Sequence, residues 1–252
     1  MSGQKIEITM TEQGEGAPIF VLHGGGGPLT VAGLATHMAS DGLVLMPTHP
    51  GWNGTLRPAS VSSVADLAEL YLRELEQRDL NNVLVIGSSM GGWIAAEMAL
   101  RDSQRRIGRV VLINSVGVEV PGEPIVDFFS LTPRQIAEHS YHDPDRFFVN
   151  PQALPPERLA LIQGNVATLR AVAGTRMADP ELLKRLREVM IPALVIWGES
   201  DRIVTAKYGR AMAEAFGNGR FALVEKAGHL PHIEQPEATF ALIDAFINSL
   251  TT

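Results

Sequence analysis

The sequence predicts an α/β fold: a mostly parallel sheet of about eight strands, helices on both faces and one helical insertion. Three observations carry this. Short continuous apolar runs rich in branched residues recur at positions 19–22, 43–46, 83–86, 110–113 and 193–197, and a strand that is apolar on both sides of its pleat must be covered on both faces. Segments of helical period lie between the runs, and strand then helix, repeated, is the signature of parallel pairing through right-handed crossovers. Only the stretch 121–189 breaks this alternation.

Taken in chain order, Ile6, Ile8 and Met10 fall at period two and predict a half-exposed antiparallel strand ahead of the run 19–22. Ser63, with Asp66 three residues on, is close to a capping box and starts a helix. The run 83–86 leads into a helix carrying Ala95, Ala96, Met98 and Ala99. After the run 110–113, helix starts replace buried strands: Thr132-Pro133, Asp143-Pro144 and Asp179-Pro180 each set a cap residue before a Pro at the first helical position. Such an insertion leaves the carboxyl edge of the sheet, where ligands bind in open α/β folds. A lid is expected there, with a second packing layer as the plain alternative. The chain therefore divides into a core, 1–120 and 190–252, and a helical cap, 121–189. Beyond the cap come the run 193–197, a helix with Tyr208, Ala211, Met212 and Ala215, a strand over 221–224, and a last helix with Ile243, Phe246, Ile247 and Leu250.

Composition narrows the function. With 252 residues, 45% of them apolar and 19% charged, the chain can bury a sizeable core and has the length of one large domain with an inserted piece. A net charge of −7 without any basic run argues against a polyanionic partner, whether nucleic acid or an anionic membrane surface. The absence of cysteine removes disulfides, thiolate nucleophiles, Cys-ligated zinc and iron–sulfur clusters together. The first ten residues alternate polar and apolar where a signal peptide needs an unbroken apolar stretch, and no segment approaches 18 apolar residues. The expectation is a cytoplasmic protein with a small-molecule partner, no cofactor and no metal. A homodimer is left open.

Gly87-Ser88-Ser89-Met90-Gly91 matches G-x-S-x-G, a pattern that arises by chance about 0.1 times in a chain of this composition. Its context is sharper, because the motif sits where a buried strand ends and a helix begins, so Ser89 stands on a tight strand-to-helix turn. A serine hydroxyl needs a base, itself held in one tautomer by an acid. Of the seven histidines, His229 alone follows a strand through a Gly-containing loop and precedes the last helix. His232, three residues on, reads as a support or surface residue. Asp201, in the loop after the run 193–197, is the favoured acid, with Glu199 as a less well placed rival. The end of the preceding strand carries Asn114, which cannot hold an imidazolium as a carboxylate does. Upstream, a strand runs into His23-Gly24-Gly25-Gly26-Gly27, whose backbone N–H groups are free to approach an anion, as an oxyanion loop requires. The dinucleotide fingerprint fails there, since Leu29 occupies its final glycine position.

With His23-Gly24-Gly25-Gly26, Gly87-Ser88-Ser89-Met90-Gly91-Gly92, Gly198-Glu199-Ser200-Asp201 and Gly228-His229-Leu230-Pro231-His232-Ile233-Glu234-Gln235-Pro236, the chain resembles the α/β-hydrolase superfamily over nearly its whole length. The resemblance implies Ser89 as nucleophile, His229 as base and Asp201 as acid, with the Gly25 and Met90 amides as the oxyanion hole. It makes His23 a structural histidine. The segment 47–54 departs from the aspartate-rich turn of relatives. Ser at the elbow separates the chain from dehalogenases and epoxide hydrolases that look alike but carry Asp there. The implied activity is hydrolysis of a small carboxylic ester or lactone. Hydrolases that cleave carbon–carbon bonds in ring-fission products share the elbow but commonly carry Trp where Leu230 stands, and a non-catalytic ligand-binding protein of the same fold is a further alternative. In the cap, Phe128, Phe129, Phe147 and Phe148 are expected either to line an apolar pocket or to pack the cap itself. Arg170 and Arg176 are candidates to pair a substrate carboxylate, or plain surface residues. His139, His142 and Asp143 lack a third ligand at metal spacing.

Overall fold

The computed structural model describes residues 7–249. Its main sheet has seven strands: β1 (Met10–Gln13), β2 (Pro18–Leu22), β3 (Leu43–Pro47), β4 (Val83–Ser88), β5 (Ile107–Ile113), β8 (Ala193–Gly198) and β9 (Gly219–Val224). Their order is β1-β3-β2-β4-β5-β8-β9, with only β1 antiparallel. A two-stranded parallel pair, β6 (Gly117–Val118) and β7 (Ala178–Asp179), stands apart. The helices are α1 (Ala32–Met38), α2 (Val64–Gln77), α3 (Met90–Arg101), α4 (Pro133–Ser140), α5 (Pro144–Phe147), α6 (Pro156–Ala173), α7 (Leu182–Arg185), α8 (Ala206–Ala215), α9 (Pro231–Glu234) and α10 (Pro236–Asn248).

The continuous apolar runs become strands because each feeds two cores. In β4, Val83 and Val85 join one buried cluster while Leu84 and Ile86 join the other. Phe20 and Leu22 alternate in the same way with Ile19 and Val21 on β2. Helices α2, α3 and α8 cover the first face, and α1 and α10 the second. The chain enters at the edge strand β1, but the parallel part of the sheet starts inside, at β2, and is wound both ways, so β2 and β4 flank the point where strand order reverses. A crevice opens there beyond the carboxyl ends of the strands. The turn after β2 and the elbow after β4 both emerge into it.

Two expectations are corrected. The first strand lies later than the period-two pattern suggests: β1 begins at Met10, pairing Met10 with Pro47, while Ile8 packs half-buried on the core ahead of it. Ile6 and Leu250 fall outside the described residues. The alternation reported contact with the core, and the ladder formed where β3 offered a free edge. Asp179-Pro180 does not open a helix, because Asp179 belongs to β7 and α7 starts at Leu182. Asp179 Oδ1 accepts the Glu181 amide at 2.9 Å, the same side-chain-to-backbone bond that makes an N-cap, here closing a turn. The other starts form as read: Thr132 and Gln135 make a capping box with Pro133 at the first position of α4, and Asp143 accepts from Arg146 N at α5.

Between β5 and β8, helices α4, α5 and α6 lie beyond the sheet edge, whereas Leu182 and Leu186 of the following segment are fully buried in the main core. Helix α2 is anchored at its start by a complete capping box, Ser63 Oγ accepting from Asp66 N (3.1 Å) and Asp66 Oδ2 accepting from Ser63 N (2.9 Å). Ser63→Ala should lower the unfolding free energy by about 1 kcal/mol. A urea titration reads this as a lower midpoint at unchanged slope.

Candidate active site

Ser89 is the N-cap of α3 and holds φ 54°, ψ −119°, a left-handed conformation that a non-glycine residue keeps only where its surroundings enforce it. The enforcement is close packing. A Cβ on Gly91 would collide with the Leu22 carbonyl oxygen, so α3 starts directly against the end of β2 only because glycine stands there. The turn aims Ser89 Oγ at His229, with 2.9 Å to Nε2. His229 Nδ1 lies 2.8 Å from Asp201 Oδ2. A carboxylate only accepts, so Nδ1 carries the proton and Nε2 is left to accept from the Ser89 hydroxyl. Asp201 is nearly fully buried yet satisfied: Oδ2 also accepts from Asn114 Nδ2 (2.7 Å), and Oδ1 accepts from the Ile203 and Val204 amides (2.8 and 3.2 Å). Glu199, the rival acid, is exposed and accepts instead from the Lys226 amide at 3.4 Å.

Asn114 was legible only as a missing carboxylate. In the structure it is fully buried and ties together the loops on either side, donating to Asp201 Oδ2 and accepting from Gly198 N at 3.1 Å. A carboxylate at this place would face Asp201 without a proton to share.

Met90 opens α3, so its amide has no intrahelical acceptor and sits at the positive end of the helix dipole. The Gly24-Gly25-Gly26 turn lines the same cavity. It is braced from behind by His23, already expected to be structural, and by His49, Trp52 and Tyr71, which the motifs did not single out. Trp52 Nε1 donates to the Gly25 carbonyl at 3.0 Å. His49, fully buried, donates through Nε2 to the His23 carbonyl (2.8 Å) and accepts the Tyr71 hydroxyl at Nδ1 (2.6 Å). His23 in turn donates from Nδ1 to the Gly24 carbonyl (2.7 Å) and accepts the His49 amide at Nε2 (3.1 Å). The segment 47–54 is thus the support of the glycine turn. The usable signal was a buried-strand end followed by His49 and Trp52, two residues large enough to reach back.

A cavity of about 340 Å³ stands over Ser89, Met90 and His229. Phe128, Ile136, Phe147, Phe148, Leu169 and Leu230 are among its walls, and none of its lining residues is Asp, Glu, Lys or Arg. Phe129 is not among them: it packs edge-on against Phe128, with the Arg170 guanidinium 4.7 Å from its ring centre. Arg176 pairs with Glu119 at 3.4 Å on the wall of a separate outer groove. Neither arginine is brought to Ser89. His139 and His142 spend their Nδ1 atoms on Gln135 O and Ser200 Oγ. Among the described residues, the one grouping close enough to share a cation is His37, Asp41 and Asp244, on the α1 and α10 side of the sheet. Among the described residues, no helix is long and apolar enough to cross a membrane.

The alpha/beta hydrolase family matches residues 19–242. The chain is 24% identical over 267 aligned residues to a 2-hydroxy-6-oxononadienedioate/2-hydroxy-6-oxononatrienedioate hydrolase of Cupriavidus pinatubonensis, covering 97% of this chain and 92% of the relative. It is 27% identical over 252 residues to a 2-hydroxymuconate semialdehyde hydrolase of Pseudomonas putida, covering 94% and 89%. Among solved structures, a thermophilic esterase from Thermogutta terrifontis superposes with a TM-score of 0.78 at 20% identity, covering 100% of this chain and 97% of the other. A meta-cleavage product hydrolase from Pseudomonas fluorescens IP01 gives 0.80 at 18%, covering 96% and 94%.

The buried histidines give the molecule a pH signature. Burial pushes His23 down to about 4, partly offset by its bond to the Gly24 carbonyl. Burial likewise takes His232 to about 4 against its bond to the Thr30 carbonyl, and holds His49 well below its ordinary value. Each binds a proton near 6.5 when unfolded and much less readily when folded, so the unfolded state gains protons as the pH falls. Their stabilisation is complete above 6.5 and is lost as the pH drops toward 4. Unfolding midpoints should fall through that window, and His232→Gln should flatten the slope. An identical slope in that variant would remove His232 from the account.

Proposed function

Because the chain belongs to the alpha/beta hydrolase family, we propose that it is a serine hydrolase cleaving a small, uncharged carboxylic ester or lactone through an acyl-enzyme on Ser89. The observation that carries this reading is the hydrogen-bonded chain Ser89, His229, Asp201 on the floor of a cavity without a charged wall.

Ser89 Oγ attacks the acyl carbon and its proton passes to His229 Nε2. Charge developing on the acyl oxygen is met by the Gly25 and Met90 amides, fixed in advance by the glycine turn and by α3. His229, now an imidazolium beside Asp201, returns the proton to the leaving oxygen as the acyl carbon–oxygen bond breaks. Water then enters, gives a proton to His229 and attacks the acyl carbon, and the same proton restores Ser89. Helices α4, α5 and α6 act as the lid over this cycle. At about 340 Å³ the cavity is at the lower end of the usual range for ligand sites, which favours short acyl groups.

Relatives that act on ring-fission products support a second reading, carbon–carbon bond hydrolysis with the same residues. The substrates named for the first of them are dicarboxylates. Burying a carboxylate without a paired cation is costly, and here Arg170 and Arg176 both lie outside the cavity walls. That tips the balance to an uncharged ester.

Ser89→Ala should lower kcat on p-nitrophenyl acetate by about 10⁴-fold or more, and a fluorophosphonate should label wild-type Ser89. Near-normal turnover in the variant would end the assignment. Across p-nitrophenyl esters from acetate to laurate, kcat/KM should peak at short chains. Faster cleavage of a 2-hydroxy-6-oxo-dienedioate than of any ester would instead select the carbon–carbon reading.

A further inference from the structure

The end of α4 does more than roof the cavity. The loop that carries Asp201 and the loop that carries His229 are both bonded to residues 138–143, which follow one another in the lid. On the acid side, the Arg202 amide donates to the His139 carbonyl (2.9 Å) and its guanidinium to the Glu138 carbonyl (2.7 Å). On the base side, the His229 amide donates to the Ser140 carbonyl at 2.6 Å. The approach is so close that a Cβ on Gly228 would strike that same Ser140 carbonyl.

Glu234 completes the splint. It lies on α9, one turn past His229, and is buried. One carboxylate oxygen accepts the Gly228 amide, next to His229 in the chain, and the other accepts the His142 and Asp143 amides of the lid at 2.8 and 3.3 Å. Three backbone donors therefore converge on one side chain, and all of them come from the two segments whose separation sets where His229 stands. A carboxylate suits this place because it offers only acceptors. An amide would have to turn its NH₂ toward one of the donors.

We propose that Glu234 is a positioning residue. It locks the His229 loop to the end of α4 and so keeps Nε2 within hydrogen-bonding reach of Ser89 Oγ. The inference rests on Ser89 and His229 being nucleophile and base. It goes beyond that reading by making the end of α4, which also lines the cavity through Ser140 and Tyr141, a fixed splint for the Asp201–His229 pair. Loss of the splint shifts the imidazole, and displacements on the order of 1 Å cost about 10²-fold in rate.

The test compares Glu234→Gln and Glu234→Ala with wild type in three measurements: steady-state kinetics on a short p-nitrophenyl ester, with kcat counted per active site titrated by the p-nitrophenol burst; the rate of fluorophosphonate labelling of Ser89; and the downfield proton resonance of His229 Nδ1–H. Expected are falls in kcat of about tenfold for Gln and about 10²-fold for Ala, KM within about twofold, labelling slowed in step, and the downfield resonance broadened. Substitutions that merely reduced the folded fraction would leave kcat per titrated site unchanged, and that result overturns the proposal. Equal labelling rates in wild type and Glu234→Gln do the same while leaving the function intact. If Ala does not fold, the isosteric Gln variant carries the test, and failure of both to fold assigns Glu234 to folding instead. Absence of labelling in wild type overturns the function and this inference with it.

Discussion

The contact on which the rest of the site depends is the approach of α3 to the end of β2. Gly91 packs where any side chain would meet the Leu22 carbonyl, and this lets the elbow hold Ser89 at positive φ. From that one constraint the Ser89 hydroxyl stands clear of the sheet. It also brings the first amide of α3 and the glycine turn after β2 to the same side of the serine. The strain on Ser89 is on the order of 1–3 kcal/mol. The two fully covered faces of the sheet offset it, since Phe20, Leu22, Val85 and Ile86 are essentially inaccessible to water.

Several polar groups around the elbow are buried in pairs that satisfy one another. His23, His49 and Tyr71 form one such chain behind the glycine turn, and Asn114 with Asp201 forms another beneath His229. Buried polar groups destabilise unless bonded. Networks of this kind accordingly act as rigid references: a neutral His49 wedged between a carbonyl and a hydroxyl has one orientation, and the turn it supports inherits that precision. The same burial that fixes these tautomers depresses the imidazole pKa values, so rigidity near the site and sensitivity to acid share a physical origin.

The helices inserted between β5 and β8 are held unevenly. At the α4 end they are joined to the Asp201 and His229 loops by backbone bonds. At the α6 end the polar ties are Asn165 paired twice with Asn53 (2.8 and 3.1 Å) and Thr168 on the Gly51 carbonyl (2.9 Å), beside Leu169, Val172 and Ala173 in the main core. The first turns of α6 are largely exposed, and burial begins at Asn165. Segments with few buried contacts open at the lowest free-energy cost. The exposed Ile162 and Val149 line the cavity from this side.

The alternation of buried runs and helical periods determined the α/β class, because a strand apolar on both faces has no other home than a covered parallel sheet. Local chemistry determined most helix starts and the elbow, since a cap residue, a first-position Pro or a glycine acts on its immediate neighbours. Ser89, His229 and Asp201 could be picked as candidates for the same reason, each following a strand in the expected order, and the structure brings them within hydrogen-bonding reach of one another. What the sequence left open was every contact across the fold. Asn114 read as the lack of an acid until it was seen against Asp201, and His49 and Trp52 read as part of a divergent loop until they were seen against the glycine turn. Phe129, Arg170 and Arg176 were as eligible for the pocket as Phe128, and contacts across the fold, Arg170 on Phe129 and Arg176 on Glu119, decided between them. Asp179-Pro180 carried the mark of a helix start, yet β6 was available to pair with it. Side-chain type and spacing constrain what lies within a turn or two along the chain. Which partner a residue meets a hundred positions away is decided by how the layers pack, and only the tertiary structure records that.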